Sequence, residues 1–146
     1  MSVPVNQRTH GKLEAASKAF ELATYTLRIT KNKKVFTVEY QEALTDHIIS
    51  TALDIYLLAK SANDLIVRTE MDKQNYIDRI EMQRQAHVLC GRLSSLILLA
   101  KPIFHLSARR VTYWTGLTKD TKALIKAWMD SDIKRFLPLF EHTGVG

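Results

Sequence analysis

Apolar residues recur along most of this chain at spacings of three and four, the period of an amphipathic helix. Leu13, Ala16, Phe20, Ala23 and Leu27 draw one stripe, which predicts a first helix from about Lys12 to Thr30. Lys31-Asn-Lys-Lys34 ends it, with cations set against the negative pole of the helix dipole. Leu44, Ile48, Ala52, Ile55, Ala59, Ala62 and Ile66 repeat the period over about 37–66, with Glu42, Asp46, Asp54 and Lys60 off the stripe. Thr69-Glu-Met-Asp72 reads as the N-terminal cap of a third helix reaching about Lys101. Tyr76, Ile80, Gln83, His87, Cys90, Ser94 and Ile97 hold one of its seams, and Leu89, Leu93, Leu96 and Ala100 a second. Near Ile97-Leu98-Leu99 the helix is apolar almost all round, which predicts deep burial or a subunit contact. Pro102 marks its end or a kink.

Ser107 is the natural cap of a fourth helix running to about Leu137, with Trp114, Leu117, Thr121, Leu124 and Trp128 as its stripe. Gly116 within it predicts a close backbone contact. Pro138 closes it, and His142 to Gly146 should fray. Four long helices with three short connections predict an all-α, antiparallel up-down four-helix bundle. It forms one domain over residues 1–146, with an ordered core of about 12–138.

Composition agrees with this picture. The chain has only five Gly and three Pro, too few breakers for a loop-rich fold. The lone Cys90 excludes an intramolecular disulfide and reads as a buried, inert thiol. No secretory leader is visible, and the run Leu96 to Ala100 is far shorter than a membrane span. The expectation is a cytoplasmic protein with no membrane partner.

Catalytic signals are missing. There is no Glu-x-x-His pair for a di-metal bundle site, no His-Glu-x-x-His, and no glycine-rich phosphate loop. No metal, no cofactor and no enzyme activity are expected. His87 on an apolar seam reads as a core histidine bonded to a neighbour, in a small buried network with Gln83 and Ser94. Trp114 and Trp128 coincide with the fourth stripe and read as core rather than base-stacking residues.

Charge changes the picture most. Residues 1–36 carry seven Lys/Arg against two acids, and residues 101–146 carry eight against four. The middle, 37–100, reverses sign, with six against nine. In an up-down bundle the first and last helices are neighbours, so one side becomes a positive wall suited to a polyanion or an acidic surface. Chain reversal also gathers Lys31, Lys33, Lys34, Lys101, Arg109 and Arg110 at one pole. Lys119, Lys122 and Lys126 lie together elsewhere on the fourth helix.

Certain stretches carry a resemblance. Asn32 to Phe36, Ala52-Leu-Asp-Ile-Tyr56 with Ala62-Asn63, and Tyr113-Trp-Thr-Gly116 followed by Trp128-x-x-Ser131-Asp132 are the residues concerned. In these, about residues 12–137 resemble a bacterial and phage group of four-helix bundles. That group is similar to the ribosomal-RNA intervening-sequence proteins and to the accessory protein Avd of diversity-generating retroelements. The resemblance implies the bundle fold and a cyclic homo-oligomer, a pentamer in Avd. It also implies a non-catalytic partner of a reverse transcriptase that binds nucleic acid through a positive surface. Related chains often carry Phe-Pro and a basic run entering the second helix; here Phe36 leads into Thr37-Val-Glu-Tyr-Gln41, which is less basic.

The leading expectation is therefore a homo-oligomeric accessory protein that binds RNA or DNA electrostatically. The nine cations named above would contact phosphates, which position a polyanion without reading its sequence. The alternative is a protein-only scaffold, in which the basic face of one subunit docks on the acidic face of the next. A third reading is a small-ligand or regulatory protein with a pocket near His87.

Overall fold

Short polar side chains set the helix boundaries. Ser107 Oγ accepts from the Arg110 amide at 3.1 Å, filling one of the free donors at a helix start. Thr69 and Asp72 cap reciprocally: Thr69 Oγ1 accepts from the Met71 amide, and Asp72 Oδ2 accepts from the Thr69 and Arg68 amides at 3.0 and 2.8 Å. These two amide bonds hold the Asp72 carboxyl below its ordinary pKa. A computed structural model describes the backbone of residues 5–141 and the side chains from residue 14 onward. The chain forms α1 (Val5–Thr30), α2 (Asp46–Asp64), α3 (Lys73–Phe104), α4 (Ala108–Phe136) and one further turn, α5 (Pro138–Glu141). Among the described residues there is no strand, and the four long helices make an all-α four-helix bundle. The fraying expected for 142–146 lies outside the described residues.

Helices adjacent in sequence pack together, and α1 closes the ring against α4. Lys18 meets Thr121 while Thr26 meets Trp114, so α1 and α4 run in opposite directions. Arg79 meets Asp132 while Gly91 lies beside Lys122, so α3 and α4 do too. Phe36, just after α1, packs on Phe104 at the end of α3 and on Trp114 near the start of α4.

The buried positions share the period read from the sequence but not its register. In α3 they are Arg79, Ile80, Gln83, Ala86, Cys90, Leu93, Ile97, Ala100 and Phe104, which apart from Ile80 alternate steps of four and three. That is a 3.5-residue repeat, the signature of side chains interlocking between helices that cross at a shallow angle. The expected seam is therefore corrected: His87 and Ser94 are only half-buried, and Leu98 and Leu99 face outward. In α1 the core residues are Ala15, Ala19, Leu22, Ala23, Thr26 and Thr30. Phe20 and Leu27, expected inside, are exposed, because the seam runs one position earlier through Ala15, Ala19, Leu22 and Thr26, whose small and polar members mark it less clearly than Phe20 and Leu27 mark the adjacent face. Leu13 lies outside the described side chains.

Three other expectations need correction. The second helix does not begin at 37. A 3₁₀ turn (Val38–Tyr40) and a π turn (Gln41–Thr45) precede α2, where Tyr40 packs edge-on against Phe104 and Phe36 is fully buried. Ile66 lies past its end and is exposed. Pro102 does not end α3, which continues to Phe104 and stops where His105 turns left-handed at φ 54°. The Leu106 amide then reaches back to the Lys101 carbonyl at 3.0 Å, an arrangement usually built on glycine. Finally, a Cβ at Gly116 would meet nothing within 4 Å, so no close contact demands glycine there.

The stretch Glu70–Phe104 contains an 18-residue window of mean hydropathy 1.3, enough by length and composition to cross a membrane. In the bundle this helix packs between α2 and α4. Both tryptophans are core residues: Trp114 is fully buried, and its Nε1 donates to Thr26 Oγ1 at 3.1 Å. Cys90 is buried, and burial pushes its thiol pKa up to about 12.

Candidate functional site

Lys31, Lys33 and Lys34 follow the last turn of α1, Lys101 sits in the last turn of α3, and Arg109 and Arg110 open α4. The Phe36–Phe104 and Tyr25–Tyr113 ring contacts hold these three helix ends at one pole. Lys31, Lys34, Lys101 and Arg109 are exposed and make no ion pair among the described residues. Lys33 is differently placed. Its Nζ donates to the Thr30 carbonyl at 3.0 Å and to Gln41 Oε1 at 2.6 Å, so it caps α1 and ties the following turn. Arg110 is half-buried near Tyr25, where its charge opposes the burial that raises the tyrosine pKa. The same pole also carries Glu39, Glu42 and Asp46 around the π turn. Its field is thus graded, basic over α1, α3 and α4 and acidic where the chain leads into α2.

The three remaining lysines do not extend that cluster evenly. Lys119 is exposed and makes no ion pair among the described residues. Lys126 Nζ is clamped to both oxygens of Asp130 at 2.7 Å. Lys122 leans onto α3, with its Nζ 3.5 Å from where a Cβ on Gly91 would sit. One turn earlier on α3 lies His87. Burial first, then Lys122 and Lys126, hold its pKa below the ordinary 6.5, while Asp130 pulls the other way. His87 therefore belongs to the flank between α3 and α4, not to a polar network in the core.

The core network has different members. Asp132 Oδ2 accepts from Arg79 Nε and from Gln83 Nε2, each at 2.7 Å, and all three side chains are buried. Arg79 Nη1 also donates to the Leu65 carbonyl at 2.9 Å. Its guanidinium lies 5.4 Å from the Trp128 ring centre and 5.6 Å from that of Phe136. One arginine thus ties the end of α2 to α3 and α4. Sequence reasoning took Gln83 but missed Arg79, although its spacing of four from Gln83 was the available signal. Among the described residues no group of three or more His, Cys, Asp or Glu is arranged to hold a metal ion.

The chain matches no family model, no curated protein and no solved structure.

Proposed function

We propose that the protein is a non-catalytic, homo-oligomeric module that binds RNA or DNA through its basic pole. The observation that supports this is the set Lys31, Lys34, Lys101 and Arg109, brought to one pole by three helix ends, exposed and in no ion pair among the described residues. Exposed unpaired cations at that density attract phosphates, and binding releases condensed counterions. The resemblance to Avd gives the reading its setting, as an accessory of a reverse transcriptase in the cytoplasm, with a ring of subunits as the binding unit. Lys119 adds to the same field. Lys122 and Lys126 are partly occupied by their neighbours, so their contribution is smaller.

A salt series on structured RNA tests this. With about four to five phosphates contacted, the logarithm of affinity should fall with the logarithm of salt at a slope of about −3 to −4. Reversing Lys31, Lys34, Lys101 and Arg109 to Glu should abolish binding and leave the helical circular dichroism unchanged. Retained affinity in that variant overturns the reading.

A second reading, a protein-only scaffold, is favoured by one observation. Leu98 and Leu99 on the outer side of α3 are 58% and 54% exposed, with no cover in the monomer. If the basic pole is inert toward RNA and the protein still sediments as an oligomer, the scaffold reading replaces the first.

A further inference from the structure

Away from the basic pole, α1 and α2 part to leave a cleft of about 300 Å³. Its floor is made by Ala16 and Ala59, whose small side chains leave a slot between the helices. Phe20 and Tyr56 form one wall, their rings meeting edge-on with centroids 5.7 Å apart. Phe20 is 55% exposed, an unusual place for a phenylalanine in a bundle with a filled core. At the far end stands Asn63, whose Oδ1 is buried without a hydrogen-bond partner. A buried acceptor left unpaired is costly, and natural proteins keep few of them. Lys60 lies at the rim, and among the described residues it makes no ion pair and no carboxylate lines the cleft.

These features describe a ligand. The exposed Phe20 ring calls for a flat π system, the unpaired Asn63 oxygen calls for an N–H donor on its edge, and Lys60 calls for an anion beside it. An unpaired nucleobase with its 5′-phosphate has all three. A phosphotyrosine, or an acidic peptide with a phenylalanine or tyrosine, has the ring and the anion but no N–H donor on the ring edge.

We propose that the α1–α2 cleft is a base-binding pocket for single-stranded nucleic acid. One extruded base stacks on Phe20 with its edge against the Tyr56 ring, donates to Asn63 Oδ1 once that side-chain amide turns toward the slot, and sets its phosphate against Lys60. The choice of ligand rests on the nucleic-acid reading above. It adds to that reading a preference for single strands, since a base inside a duplex cannot reach the slot.

The test uses the whole protein and free mononucleotides, which are too small to bridge from the basic pole. The probes are AMP, CMP, GMP and UMP at millimolar concentration, with ribose 5-phosphate as control, read by NMR on the Asn63 side-chain amide and the Phe20 and Tyr56 rings. At least one nucleotide should shift these signals while ribose 5-phosphate does not. Asn63→Ala and Phe20→Ala should each weaken the binding about tenfold. Phe20 is exposed, so its variant stays folded if the core is intact. No shift with any nucleotide, or equal shifts with ribose 5-phosphate, overturns the pocket. The two proposals fail separately. RNA binding at the basic pole with silent Asn63 signals sinks the pocket alone, whereas nucleotide shifts without RNA binding uphold the pocket and sink the basic pole.

Discussion

Asp132 is the residue whose loss should be felt most. Both its buried partners, Arg79 and Gln83, converge on one of its oxygens. Asp132→Ala leaves a buried guanidinium unpaired, and the expected loss is about 3–5 kcal/mol of stability in urea unfolding. The triple variant Arg79→Met, Gln83→Met and Asp132→Leu should recover most of that, because burying a hydrogen-bonded ion pair gains little over apolar residues of similar size, and removing Gln83 as well leaves no orphaned amide. An equal loss in the single and triple variants would show that the site is held by packing and not by charge. Gly116 makes the opposite case. Its surroundings are open, so Gly116→Ala should gain about 0.5–1 kcal/mol from helix propensity alone. His87 gives a pH signature. Its folded pKa is depressed below 6.5, so on acidification the unfolded chain takes up the proton first. Stability attributable to His87 should fall as pH drops below about 6.5 toward the folded pKa. His87→Gln should flatten that part of the profile, measured as melting temperature between about pH 7.5 and 5.

At the scale of elements, helix number and the capped starts near Thr69 and Ser107 were legible, because caps are local chemistry. Ser107 and Thr69 each act within three residues of themselves, so the sequence carries the whole signal. Seams were less legible. The expected and observed seams of α3 both alternate steps of four and three and share Ile80, Gln83, Cys90 and Ile97, but the positions between fall on Ala86 and Leu93 and not on His87 and Ser94, because this helix is apolar on more than one face and periodicity alone does not choose between them. Arg79 was hidden because a charged residue next to an apolar one is ordinarily assigned to the outside. The 3₁₀ and π turns before α2 could not be read locally. They arise because Phe36 and Tyr40 must reach Phe104, a partner far along the chain. The cleft beside Asn63 was missed for a like reason: its walls come from two helices, and its small floor residues read as simple packing.

For the molecule as a whole, charge and topology act on the same place. The seam between α1 and α4 is lined with hydroxyls: Thr26 and Thr30 on one side and Thr118 and Thr121 on the other are buried. Each donates to a carbonyl one turn back on its own helix. The two helices are also the basic ones, so like charges push on the joint. Added salt between about 0.05 and 0.2 M should therefore raise the melting temperature rather than lower it, since the Debye length shrinks across that range. A fall on adding salt would place the dominant charge interactions in the attractive pairs instead. The Thr26–Trp114 and Lys18–Thr121 contacts join residues 88 and 103 positions apart. The α2–α3 and α3–α4 hairpins need only short loops, so their docking loses less chain entropy and this joint should zip up last. A single polyanion lying across both helices would then work as an external clasp, so that the last step of folding and the first step of capture become one thermodynamic event.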